Sequence, residues 1–210
     1  MKKSGSKFKT SNEGARGDSG LLIVISAPSG CGKTTIVDRL LKRHPEWVRS
    51  ISATTRQPRA GEKNGQDYFF VSPKAFKEME DKNELLESAK VYDCFYGTPK
   101  KFVMDALARD EKAILAIDVQ GARKIKKILN GKMPLLTLFI LPPSVKVLRE
   151  RLEGRQTESA EEVQRRIEVA QDEIKEAGSY DLAFVNQNLE QTVLEIEQGI
   201  EKIQKQRKGV

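Results

Sequence analysis

This chain of 210 residues predicts an α/β fold built on a parallel sheet, and three features carry the prediction. Leu21-Leu22-Ile23-Val24-Ile25 is an unbroken branched apolar run, the pattern of a strand buried on both faces. A loop of small residues follows, and then a helix over Thr34–Arg43 with apolar residues at Ile36, Val37, Leu40 and Leu41. The same strand-then-helix alternation returns downstream at spacings too wide for hairpins, which requires crossover helices between parallel strands.

The elements follow in order. His44-Pro45 ends the first helix. Ala113–Ile117 reads as a strand closed by Asp118, Leu135–Leu141 as another closed by Pro142-Pro143, and Leu182–Val185 as the last. Val193 to Ile203 supplies a final amphipathic helix. Two stretches interrupt this rhythm. Residues 52–98 are richer in glycine, aromatics and charge, with strand-like pieces at Tyr68–Val71 and Val91–Tyr96 and a short helix opening at Ser72-Pro73. Residues 145–166 are dense in arginine (Arg149, Arg151, Arg155, Arg165, Arg166), and Ser159-Ala160-Glu161-Glu162 within them is a capping-box start. The expected organisation is a core from 20–51, 99–144 and 167–210, an inserted lobe at 52–98, a lid at 145–166, and a basic, disordered tail at 1–19.

Composition narrows the function. At 38% hydrophobic the chain has material for a core, yet no apolar run approaches the roughly 20 residues of a membrane span. The N-terminal lysines lead into no apolar stretch, so no secretory signal is expected, and two cysteines make neither a disulfide framework nor a zinc site. A reducing, cytoplasmic setting is the expectation. Of the net charge of +7, residues 1–19 hold +3, and the rest is spread among many acids. That balance suits small anions such as nucleotides and is no nucleic-acid signature; no nucleic-acid or membrane partner is expected. The sequence leaves the oligomeric state open.

The strongest local signal is Ala27-Pro28-Ser29-Gly30-Cys31-Gly32-Lys33-Thr34, with Thr35 behind it, between the buried strand and its helix. Small residues let backbone N–H groups close around phosphate oxygens, and the helix N-terminus adds the positive end of its dipole. Lys33 is suited to the β- and γ-phosphates of ATP, and the Thr34 hydroxyl to Mg²⁺. Alanine stands where the pattern's first glycine belongs, so Ala27 must occupy an ordinary backbone region. Cys31 reads as a small loop residue. GTPases, ATPases and small-molecule kinases all use such a loop, and the acceptor side must discriminate among them.

Ser52-Ala-Thr-Thr-Arg56-Gln-Pro-Arg59-Ala-Gly-Glu-Lys-Asn-Gly-Gln-Asp67-Tyr68 closely resembles the GMP-binding segment of guanylate kinases. Tyr96-Gly97-Thr98, Ile117-Asp118-Val-Gln-Gly121, Pro142-Pro143-Ser144 and Arg151-Leu-Glu-Gly-Arg155 resemble further stretches of that family in the same order, from about Leu21 to Asn188. The resemblance implies a nucleoside monophosphate kinase-like core with a GMP lobe and a lid. It implies that the chain moves a phosphoryl group from ATP to GMP with Mg²⁺, both lobes closing over the two substrates. Arg56 and Arg59, three apart, suit a clamp on a monophosphate dianion, and Tyr68 and Tyr96 add phenolic donors. By resemblance these four hold the phosphate of GMP.

Guanine presents N1–H and a 2-amino group as adjacent donors, which one carboxylate accepts together. The family resemblance gives this role to Glu87, supported by Asp118, with hydroxyls from Ser52 and Thr98. Asp118 has three open readings: a partner of the base, a holder of hydrated Mg²⁺ with Thr34, and a plain helix N-cap. The same resemblance gives Arg155 and Arg166 to the transferring phosphoryl group, alongside Lys33 and Arg56, and Asn186 to the adenine side. Periodicity offers a check: with the apolar stripe at Val163, Ile167, Ala170 and Ile174, Arg166 lies about 60° from Val163 and Arg165 about 160° away, facing outward. Arg151 is open between ATP phosphates and a solvated helix face. Two rivals compete: a non-catalytic phosphopeptide-binding scaffold of the same fold, and a kinase with another acceptor.

Overall fold

The computed structural model describes residues 20–129, 131–154 and 159–208. The expected tail at 1–19 and Arg155 lie outside the described residues. The chain runs β1 (Leu21–Ser26), α1 (Lys33–Arg43), β2 (Val48–Arg49), β3 (Ala53–Thr54), β4 (Phe69–Phe70), α2 (Pro73–Asp81), β5 (Leu85–Val91), β6 (Cys94–Pro99), α3 (Lys100–Ala108) and β7 (Lys112–Ile117). It continues through α4 (Val119–Leu129), β8 (Leu135–Leu141), α5 (Val145–Glu153), α6 (Ala160–Lys175), a 3-10 turn at Glu176–Ser179, β9 (Leu182–Val185) and α7 (Leu189–Lys208).

Five strands form an all-parallel sheet in the order β2-β7-β1-β8-β9, with β1 central. All six residues of β1 are buried, as its unbroken apolar run requires. Alternation along β1 serves two cores. Leu21, Ile23 and Ile25 join the buried residues of α1, α5, α6 and α7, while Leu22 and Val24 join those of α3 and α4. The strands on either side of β1, β7 and β8, leave the chain in opposite directions across the sheet. The loop after β1 therefore sits at the carboxyl edge where the strand order reverses, the position open sheets use for ligands.

Residues 52–98 make a second sheet, β4-β3-β6-β5, with β5–β6 and β3–β6 antiparallel. Its private core is small: Ala53, Phe76 and Leu85, with Val71 and Met79 against them. Leu86 on β5 reaches into the core on the α3–α4 face of the main sheet and fastens the two sheets together.

Most expected boundaries hold within a residue, and Leu135–Leu141 and Leu182–Val185 coincide with β8 and β9. Two expectations need correction. Val91–Tyr96 is no single strand: it straddles a hairpin whose turn is Tyr92-Asp93, with Val91 paired to Cys94. That turn contains neither glycine nor asparagine, the residues that mark such turns in a sequence. The last helix begins at Leu189 instead of Val193, because Asn188 caps it by accepting from Gln191 N at 3.0 Å. Ser72 and Ser159 cap α2 and α6 as expected, the latter in a full capping box with Glu162.

Candidate active site

The phosphate loop is drawn tight by its glycines and by three protein contacts. Gly30 and Gly32 have φ of 91° and 86°, a region costly for any other residue, and Ala27 is not among the positive-φ positions. A Cβ on Gly32 would stand 2.6 Å from the Asn186 amide nitrogen, so the close approach of β9's end also demands glycine. That amide donates to Cys31 O at 2.9 Å, and Arg151 donates to Asn186 O at 3.0 Å. Asn186 is thus buried behind the loop, bracing it, and Arg151 braces Asn186 in turn. Cys31 is buried in the core beneath.

Lys33 donates from Nζ to Ile117 O at 2.8 Å, at the end of β7. Burial pulls its pKa below the ordinary ammonium value, against the opposing charges of Asp118, Glu173 and Cys31. Thr34 and Thr35 are exposed on the first turn of α1. Asp118 accepts from Gln120 N and Gly121 N, both at 3.2 Å, so it caps α4 from the end of β7. From α6, Arg166 donates to Ser29 Oγ at 3.0 Å while Arg165 is exposed, in agreement with their expected orientations.

The second sheet brings the acceptor-side residues together. Thr98 on β6 donates to Glu87 Oε1 on β5 at 2.7 Å; both are buried, as is Ser52. Glu87 Oε2 is buried and unpartnered among the described residues. Burial pushes the Glu87 pKa up to about 7, against the Thr98 hydrogen bond and with help from the Asp118 charge. A Cβ on Gly121 would lie 2.9 Å from Glu87 Oε2 and 3.1 Å from Asp118 Oδ1, so the bare glycine is what lets both carboxylates approach.

Arg56 forms a bidentate pair with Glu62, at 2.9 and 2.8 Å, and lies 5.3 Å from the Tyr68 ring centroid. Tyr68 meets Tyr96 edge to face at 5.9 Å, and burial pushes the Tyr68 pKa up. Glu62 also accepts from Arg59 N at 2.7 Å. Burial works to raise the Glu62 pKa, but the Arg56 fork and the Arg59 N–H outweigh it and hold it below the usual carboxylate value. The Arg59 side chain is exposed at the rim. A carboxylate therefore already sits in the Arg56 guanidinium fork, a geometry that suits an anion.

A model of the guanylate kinase family matches residues 19–203. The chain belongs to the guanylate kinase family. It is 44% identical over 191 residues to a guanylate kinase of Wolbachia sp. subsp. Brugia malayi, covering 91% of this chain and 97% of that one. It is 48% identical over 173 residues to that of Myxococcus xanthus, covering 81% of each. The crystal structure of guanylate kinase from Anaplasma phagocytophilum superimposes with a TM-score of 0.75 at 32% identity, covering 90% of this chain and 88% of that one. The chain is a kinase of that family, and among the described residues no helix is long and apolar enough to cross a membrane.

Three residues of this family member escaped the sequence reading. Glu62 lay inside the quoted arginine segment without a role, three residues after Arg59. Gly121 lay inside the Asp118 motif, and only the close approach of two carboxylates shows why it is bare. Glu173 on α6 faces Lys33 and Asp118; burial pushes its pKa to about 7, opposed by Lys33 and aided by Asp118. Its signal was periodic: seven residues after Arg166, it returns to the same helix face.

Proposed function

We propose that this chain transfers the γ-phosphoryl group of ATP to GMP, giving ADP and GDP. A phosphate oxygen of GMP attacks the γ-phosphorus in line as the bond to the β–γ bridging oxygen breaks, and that oxygen leaves with ADP. No protein nucleophile is needed, so the chain contributes position, charge and the exclusion of water.

The observation that carries this reading is Glu87 Oε2, a buried acceptor with no partner among the described residues. Leaving such an atom unpaired costs about 1–3 kcal/mol, and an adjacent pair of donors on a ligand recovers it. Guanine has that pair at N1 and the 2-amino group; adenine, cytosine and uracil lack it. Ser52 and Thr98 surround the same carboxylate with hydroxyls. Arg56, Arg59, Tyr68 and Tyr96 take the GMP phosphate, which displaces the Glu62 carboxylate from the guanidinium fork. ATP lies along residues 27–35, with Lys33 on its β- and γ-phosphates and Asn186 supporting the loop from behind. Arg166, with Arg155 from the lid, neutralises the charge that spreads over the transferring group.

Among the described residues there is no cluster of three or more His, Cys, Asp or Glu able to hold a metal. Mg²⁺ keeps several of its waters and binds through few protein oxygens and the phosphates. The Thr34 hydroxyl and Asp118 would hold it, and when bound it would neutralise charge on the ATP phosphates.

The test is ADP release from ATP and Mg²⁺ with GMP, AMP, UMP and CMP offered separately. Turnover with GMP alone supports the reading. Turnover with another nucleotide would overturn the role of Glu87, and silence with all four while ATP still binds would favour the scaffold.

A further inference from the structure

Tyr92 and Asp93 form the two-residue turn between β5 and β6, at the tip of the acceptor lobe. Tyr92 has φ of 53°, and the other non-glycine residues in that region among those described are Asn83 and Asp110. Asparagine and aspartate are the ordinary occupants of left-handed backbone after glycine, whereas a tyrosine there carries a steric cost. A two-residue hairpin turn with positive φ at its first position alone, as here, takes glycine there. The ring compensates by what it touches: the Arg166 guanidinium carbon is 5.2 Å from its centroid and that of Arg165 is 5.6 Å away. Arg166 at the same time donates to Ser29 in the phosphate loop. A contact path thus runs from the tip of the lobe, through α6, to the loop that cradles ATP.

We infer that Tyr92 is a positioning residue that holds Arg166 against the phosphate loop and links the lobe's position to that arginine. An arginine side chain has many rotamers to lose, and a π face on one side with a hydroxyl on the other leaves it few. An arginine oriented before the reaction needs no reorganisation during it. The inference rests on the role of Arg166 proposed above. Tyr92 belongs to neither the base nor the phosphate contacts of GMP, so its effect falls on kcat and not on KM.

Tyr92→Gly removes the ring yet suits the turn's backbone, which separates positioning from folding. Steady-state kinetics and thermal melts of Tyr92→Gly, Tyr92→Phe, Arg166→Ala and the Tyr92→Gly/Arg166→Ala double variant make the test. Tyr92→Gly should lower kcat about tenfold, with both KM values within about twofold and a melting temperature no lower than the parent's. Tyr92→Phe should restore kcat, and the double variant should be no slower than Arg166→Ala, because the ring acts through the arginine. Full kcat in Tyr92→Gly beside a slow Arg166→Ala overturns the inference alone. So does a loss that adds in full to that of Arg166→Ala, a loss that Tyr92→Phe does not restore, or one that tracks a lower melting temperature. Full kcat in Arg166→Ala overturns instead the reading beneath it.

Discussion

Lys33 in the phosphate loop has its protein partner in place, Ile117 O at 2.8 Å, whereas Glu87 in the acceptor lobe keeps one buried oxygen with none among the described residues. The contrast extends to the surroundings. The loop rests on the larger core, and Asn186 and Arg166 tie it directly, with Arg151 bracing Asn186. The lobe has a core of three buried residues, and its Arg56 is occupied by an internal carboxylate. The phosphate-loop side has its protein contacts made, while the lobe keeps one buried oxygen unpaired among the described residues and a guanidinium fork filled from within, the contacts that GMP completes on the proposed function.

The largest effect tests the donor side. Lys33→Ala should lower kcat about 10³-fold if Lys33 carries the role proposed for it on the β- and γ-phosphates, a place that Arg166, held on Ser29, does not take over. Circular dichroism and melting should stay near the parent's, because the loop keeps its other braces. An equal loss in melting would mean that Lys33 is chiefly structural, and the contrast would fail.

Next comes Glu87→Gln, which presents a donor where, on the proposed function, guanine needs an acceptor. The kcat/KM for GMP should fall about 10- to 100-fold with the KM for ATP unchanged, a range set by one bidentate base contact of about 1–3 kcal/mol. An unchanged kcat/KM would show that the orphan oxygen is not the base reader.

The same substitution sharpens the comparison without substrate. The folded pKa of Glu87, about 7, lies above its ordinary 4.5, so the folded state binds the extra proton between those values. This group's contribution is therefore fully present below pH 4.5 and is lost as pH rises through about 7. Urea unfolding without nucleotide should show Glu87→Gln gaining on the parent from pH 5 to pH 8, by about 1–3 kcal/mol. A constant difference across that range would remove the unmet carboxylate from the account.

The smallest effect concerns the lobe's thin core. Ser72→Ala removes the α2 cap that accepts from Ala75 N and should cost about 1 kcal/mol. Hydrogen exchange should show the loss in α2 and the second sheet, with β1 and β8 unaffected. Uniform acceleration would mean that lobe and core unfold as one unit.

Much of this was legible in the residues. Periodicity and end signals set β1, α1, β8, β9, the Ser72 and Ser159 caps, and the inward lean of Arg166 over Arg165. The hairpin at Tyr92-Asp93 was not legible, because its turn lacks glycine and the middle of β5, Glu87-Ser88-Ala89-Lys90, carries no large apolar residue. Family motifs brought out Glu87 and the arginine pair, but a motif does not say which charge neutralises which. Glu62 in the Arg56 fork and Asn186 behind the phosphate loop are contacts between residues the sequence describes one at a time.

By itself the sequence determined the parallel core, the phosphate loop and the family, since local spacing and a glycine's freedom are properties of short stretches of chain. Only the tertiary structure decided which polar atoms were paired. Burial and neighbours set the state of a carboxylate, and at Glu87 they come from β6, from Asp118 at the end of β7, and from the bare edge of Gly121, elements far apart in the chain.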